Sequence, residues 1–199
     1  MSKVVVDMAA SVDGFVAGPN QSAEQPFGEG VGMALHRWMF DAADENAAEI
    51  AALNDAGAFV MGRNMFGPGR GEWDLSWQGW WGEDPPYHVP VFVLTHHERG
   101  PLPMAGGTTF HFVTGGVHEA LKLARDAAGE RNVHVAGGAA TANQFLAAGL
   151  VDEVRLHVAP VLLGRGERLF DEVGLTRLTQ VEARQTELVT HLRYAVSRD

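Results

Sequence analysis

The residues best suited to chemistry lie in a few short stretches, each at the end of an apolar run. Residues 132–149 read Asn-Val-His-Val-Ala-Gly-Gly-Ala-Ala-Thr-Ala-Asn-Gln-Phe-Leu-Ala-Ala-Gly. Val133 and Val135 mark a short buried strand and Gly137-Gly138 a corner. Ala142, Phe145 and Leu146 recur at helical spacing, so a helix opens at about Ala139 and stops at Gly149. A helix that starts at a strand end aims unpaired N–H groups and its positive dipole end into the space above the sheet. Two glycines let an anion approach that backbone with no Cβ in the way. The stretch reads as a phosphate cradle, or else as a tight, closely packed turn. It is not the G-x-G-x-x-G fingerprint, because Ala139 and Ala142 stand where glycines are needed.

Gly62-Arg63-Asn64 follows the apolar run 58–61 and repeats the logic: a glycine after a strand, then an arginine opening a short helix. Arg63 suits a phosphate, or it caps and pairs locally. Thr95-His96-His97-Glu98-Arg99 follows the run 89–94. Adjacent histidines on an extended chain point opposite ways and no third ligand is evident, so ribose or phosphate contact fits better than metal. Asp13-Gly14 follows the first run, where Asp13 is either a turn residue or a functional carboxylate at a strand end. Trp73, Trp77, Trp80, Trp81 and Tyr87 crowd a Gly/Pro-rich segment, as anchors for a long loop or as walls for a flat heterocycle.

The elements that must position these residues alternate along the chain. Strands are expected over 3–10, 58–61, 89–94, 108–113 and around 133–135, the first as a central strand covered on both faces. Helices are expected around Leu35–Met39, from Ala43 to Leu53 and over 116–128, and a polar, Gly-rich loop over 20–33. Residues 152–158 alternate, with Val154, Leu156 and Val158 inward and Arg155 and His157 outward. The tail, 176–188 and 189–197, reads as an antiparallel pair at one edge. This pattern predicts a single domain over 1–199, a three-layer α/β/α fold with a mixed, mostly parallel sheet and antiparallel C-terminal strands. A long anionic ligand across the top of the sheet would touch every one of these strand ends.

Composition narrows the function. The 199 residues are 46% apolar and 20% charged, a globular composition. Net charge is −10, with 25 acidic against 15 basic residues and no Lys/Arg run, which argues against nucleic acid or an anionic membrane as partner. With no cysteine, disulfides, Cys-ligated zinc and thiol nucleophiles are excluded. No apolar stretch reaches spanning length and no signal-peptide core is present, so the expected location is cytoplasmic.

Ser11-Val12-Asp13-Gly14-Phe15-Val16-Ala17-Gly18, Met61-Gly62-Arg63-Asn64-Met65-Phe66, Val91-Phe92-Val93-Leu94-Thr95-His96 and the run from Val135 to Phe170 together resemble the dihydrofolate-reductase-like superfamily. The likeness is to the reductase half of the riboflavin-biosynthesis bifunctional deaminase–reductase and its single-domain relatives, and it covers nearly the whole chain in order. It implies NADPH binding and hydride transfer. On that resemblance Gly137, Gly138, Ala139, Ala140 and Thr141 would hold the pyrophosphate, with a cis peptide between the glycines. Gly62, Arg63 and Asn64 would contact the adenosine-side phosphates, with Arg63 reading the 2′-phosphate. Thr95 and His96 would contact the adenosine portion, and Ala9, Ala10 and Val16 would lie against the nicotinamide and its ribose.

Two departures refine the expectation. Residues 21–33 lack the Pro-Trp and the helix-borne acid of dihydrofolate reductases, although Glu24, Glu29 and Asp41 are near, so a relative with another substrate is favoured. The zinc deaminase half needs H-x-E and P-C-x-x-C, which a chain without cysteine does not supply. The expected activity is NADPH-dependent reduction of a small heterocyclic (pyrimidine, pterin or flavin-precursor-like) or carbonyl substrate. Its proton would come from Asp13 or an ordered water, and the 20–33 and Trp-rich loops would close over the pocket. A protein that binds NADPH or flavin without turnover is the alternative. A homodimer is expected through 152–158 and 162–170.

Overall fold

Val4, Val5 and Val6 are completely buried, as consecutive β-branched residues are when both faces of their strand are covered. They belong to β1 (Val4–Ser11), near the centre of a nine-stranded sheet. The computed structural model describes residues 2–197. After β1 come β2 (Phe15–Ala17), α1 (Arg37–Phe40), α2 (Ala47–Asn54), β3 (Ala58–Gly62), α3 (Arg63–Phe66) and β4 (Pro90–Leu94). There follow β5 (Leu102–Pro103), β6 (Thr109–Val113), α4 (Gly116–Ala128), β7 (Val133–Gly137), α5 (Ala139–Ala147), β8 (Glu153–Ala159), β9 (Glu167–Arg168), β10 (Leu178–Gln185) and β11 (Thr190–Val196). The order across the sheet is β10-β11-β8-β1-β7-β3-β4-β6-β5. The six strands from β8 to β6 run parallel, while β11, β10 and β5 are antiparallel to their neighbours.

Strand alternation sorts the core into two layers. Val4, Val6, Val60, Val133 and Val135 face α4 and α5, which contribute Leu121, Ala124, Phe145 and Leu146. On the other face Phe59, Met61, Val91, Val93 and Phe110 meet Phe66, with Trp73, Trp77, Trp81 and Tyr87 of the 67–88 loop packed against them. The tryptophans thus pin their loop to the sheet. Trp73 Nε1 donates to the His97 carbonyl at 2.8 Å and Trp77 Nε1 to that of Phe66 at 3.0 Å. Among the described residues no helix is long and apolar enough to cross a membrane.

Two expectations change. The helix read from Ala43 begins at Ala47, and its Ala/Ile/Leu stripe buries no residue fully. It is held by polar contacts, because Arg184 on β10 donates to both Glu49 oxygens at 2.6 Å. In β8 the inward/outward alternation holds, but His157 on the supposed outer face is 4% exposed because α1 and its approach cover it. β8 lies between β1 and β11 in the sheet. β10 is the uncovered edge strand.

Candidate functional site

Six parallel strands end on the same side of the sheet, so the segments that follow them share one rim. β1, β7, β3 and β4 are consecutive, and at about 4.8 Å per strand the rim they form is roughly 14 Å long. Register joins its two glycine corners. Met61 pairs with Gly137, and a Cβ on Gly62 would fall 2.5 Å from Thr141 Oγ1. Glycine at 62 is what lets the β3–α3 corner lie against the first turn of α5. Gly137 has φ +118° and faces the Met8 sulfur, while a Cβ on Gly138 would meet nothing within 4 Å. The backbone at Gly138 therefore fronts open space. The Gly137–Gly138 peptide is cis, as the resemblance implies.

Gly138 is the N-cap of α5 and brings no capping side chain. Its carbonyl takes the first helical bonds, from the N–H groups of Thr141 and Ala142. The N–H groups of Ala139 and Ala140 precede those bonds and lack intrahelical partners. Ala139 and Thr141 are buried and Ala140 exposed.

Across the rim, Arg63 opens α3. Its guanidinium lies 3.8 Å from the Trp73 ring centroid and donates to the Glu72 carbonyl at 3.2 Å. Arg99 reaches the same ring from 5.3 Å and donates to the Trp77 carbonyl at 2.7 Å. Arg63 Nε and Arg99 Nη1 are buried without a hydrogen-bond partner among the described residues. Burial lowers the pKa of both guanidiniums, with Arg70 beside Arg63 and Arg63 beside Arg99 adding to it. Arginines this crowded, in a chain of net charge −10, form a place where an anion would be stabilised. Asn64 and His96 are exposed next to them. Thr95 is buried, and its hydroxyl closes a turn by accepting from the His97 N–H at 3.1 Å.

The β1 end divides. Ala10 and Val16 are buried in the core on the α4/α5 side and present almost no surface to a ligand, whereas Ala9 is half-buried on the opposite face. Asp13 accepts from Ser11 Oγ at 2.6 Å and from the N–H groups of Leu163 and Gly164 at 3.1 and 2.7 Å. Those bonds, the Ser11 hydroxyl first, hold its carboxyl down at about 2. A group ionised throughout the neutral range has no proton to give, so Asp13 acts as a clasp between the β1–β2 turn and residues 161–164. The 19–32 segment folds over this side and borders two open pockets of about 270 and 250 Å³, one of them against Leu162 and Leu163.

Two histidines on the α1 side make stability pH-dependent. Burial, with His157 adding to it, pushes His36 and His191 from 6.5 down to about 4. Between those values the unfolded chain binds more protons than the folded one, so stability is greatest above pH 6.5 and falls toward pH 4. The midpoint of urea unfolding is expected to be lower at pH 5 than at pH 7. An unchanged or higher midpoint at pH 5 would contradict the burial of neutral imidazoles.

A family model, the RibD C-terminal domain, matches residues 2–192. The Bacillus subtilis (strain 168) protein YyaP, described as uncharacterized, is 25% identical over 181 residues, which are 86% of this chain and 81% of that protein. Among solved structures, a pyrimidine reductase-like protein from Corynebacterium diphtheriae superposes with a TM-score of 0.60 at 17% identity, covering 100% of this chain and 93% of the other. The riboflavin biosynthesis reductase Rib7 of Saccharomyces cerevisiae gives 0.57 at 12% identity, covering 98% and 89%. A diaminohydroxyphosphoribosylaminopyrimidine deaminase/5-amino-6-(5-phosphoribosylamino)uracil reductase from Thermotoga maritima gives 0.58 at 15%, and the chain, 98% covered, spans 57% of it. The shared fold is the mixed, mostly parallel α/β sheet described above.

Proposed function

We propose, on the premise that this chain belongs to the RibD C-terminal domain family, that it is an NADPH-dependent reductase of a small heterocyclic or carbonyl substrate. One observation carries the reading: the Gly62 corner lies against Thr141 while Gly138 beside it fronts open space. That is a cradle a Cβ would fill, next to unpartnered guanidinium nitrogens. The residues fit a doubly phosphorylated cofactor. When bound, it supplies a hydride from the nicotinamide C4. The backbone from Gly138 to Thr141 would hold the pyrophosphate, and Arg63, kept flat by Trp73, would take the 2′-phosphate with Arg99 behind it. Ala9, half-buried on the face of β1 opposite Ala10 and packed toward Val31 and Leu35, would lie toward the nicotinamide end.

The protein's own task is placement, holding the acceptor carbon about 3–3.5 Å from the donor carbon in a site poor in water. Thermal unfolding with NADPH tests the binding. At one hundred times Kd the stabilisation is about 2.7 kcal/mol, which raises the midpoint of a chain this size by about 5–10 °C. NADPH oxidation is then followed with 5-amino-6-(5-phosphoribosylamino)uracil, pterins and quinones. Saturable oxidation by one of these is the expected result. Binding with no oxidation by any would favour an NADPH-storing or -sensing protein, and no thermal shift would overturn the reading.

A further inference from the structure

β11 lies inside the sheet, between β8 and β10, yet six of its seven residues are only half-buried. Val4, Val5 and Val6 of β1, equally interior, are completely buried. The difference lies in what covers each strand. On one face α2 reaches β10 and β8, where Arg184 donates to Glu49 and Arg155 to the Ala52 carbonyl. On the other face α4 and α5 lie over β3, β4, β6 and β7, and the sheet runs on past them. The stretch 170–177 borders what they leave open. It starts at α5, where the Phe170 N–H donates to Asn143, and ends at the foot of β10, where the Arg177 carbonyl accepts from Ser197. Between these points Val173 packs against the core and Leu175 is 91% exposed.

Register tells which side chains share the open face, because directly opposed residues of an antiparallel pair stand on one side. Val154, in the core on the α4/α5 side, opposes Tyr194, and Leu156 opposes Leu192. One strand further out, Gln180 opposes Tyr194 and Ala183 opposes Leu192, while Leu178 opposes Val196. Among the described residues of β8, β11 and β10, no side chain on this face is charged. The charged ones alternate to the α2 face, where Glu153 pairs with Arg155, Glu182 with Arg193 and Arg184 with Glu49. Three strands have thus sorted every charge to one side and kept a neutral, largely apolar surface on the other. Surfaces of that kind mark interaction sites.

We propose that a second copy of this chain covers the face, packed two-fold with sheet face against sheet face. A two-fold interface presents the same patch twice and must be complementary to itself. Leu156, Leu192 and Tyr194 at the centre, with Gln180, Gln185 and Thr190 around them, meet that condition. They also let two chains of net charge −10 approach without setting like charges opposite one another. A partner recognised by charge finds nothing here to pair with. Pairing edge to edge along β10 is opposed by the bulge between Gln180 and Glu182, which twists the edge and interrupts the ladder. The three strands span about 14 by 24 Å, which with the 170–177 border reaches the small end of specific interfaces, about 600 Å² per partner. β8 enters through Leu156 and Val158, half-buried on its face. The rim lies at the strand ends and not on this face, so each copy keeps its own rim open, and the pairing holds whether or not the chain is a reductase.

Sedimentation equilibrium over about 1–100 μM is expected to give twice the 21.4 kDa of one chain. A single-chain mass throughout would overturn the inference and leave the face to a different protein. Leu192→Glu places a carboxylate at the centre of the patch, hydrated in one copy and set against its own kind in two. It is expected to raise the dissociation constant about 100-fold or more with the far-UV circular dichroism of the parent. Should Leu192→Glu not fold, Ala183→Glu serves, since that position is exposed in a single copy. A dimer that withstands the substitution would place the interface elsewhere. Amide hydrogen exchange separates face from edge: the outward N–H groups of β10 are expected to exchange as fast in the dimer as in the dissociated variant. Protection of those amides on pairing would mean strand addition along β10 and would overturn the face-to-face arrangement.

Discussion

Gly138→Asp is expected to fold at least as stably as the parent and to lose about 1,000-fold in NADPH affinity. The two effects have one cause. Gly138 is the N-cap of α5, with φ −72° and ψ −165°, which aspartate adopts without strain, and nothing lies within 4 Å of where its Cβ would go. Aspartate is among the best N-cap residues, and its charge favours the positive end of the helix. The same carboxylate takes the N–H groups a pyrophosphate would use and repels it. Losing one or two charge-assisted bonds, each worth about 1.5–3 kcal/mol, with like charges added, amounts to about 4 kcal/mol, a factor of about 1,000. Isothermal titration with NADPH and a thermal melt read both halves. A variant that binds NADPH like the parent would show that the cradle is only a turn.

Arg63→Ala is expected to weaken NADPH about 10- to 100-fold while NADH changes less than threefold. A guanidinium paired with a phosphate contributes about 1.5–3 kcal/mol, and only NADPH carries the 2′-phosphate. Arg63 is held for that task by the Trp73 ring at 3.8 Å and keeps an unpartnered Nε. Equal losses for the two cofactors would mean that Arg63 supports the loop and does not read the phosphate.

What could be read from the sequence was what local backbone chemistry decides. The valines of β1, the Gly137-Gly138 corner opening a helix and the Gly62-Arg63 step each declare themselves within a few residues. What could not be read depends on partners far along the chain. Asp13 has the right type and place for an acid, but the N–H groups of Leu163 and Gly164 make it a clasp. The stripe from Ala43 to Leu53 looks like a core helix, yet α2 is held through Glu49 by Arg184. His157 alternates outward as expected, but no periodicity says that Trp38 will cover that face. The one local signal for the buried Asp7–His157 contact was Asp7 itself, a charge inside an apolar central strand, which needs a buried partner.

Amide NMR during an NADPH titration tests the central claim most directly. Gly62, Arg63 and Asn64 on one side and Gly138 to Thr141 on the other are expected to shift together along a single saturable curve, because one cofactor spans both corners. Shifts confined to one corner, or none at either, would contradict it.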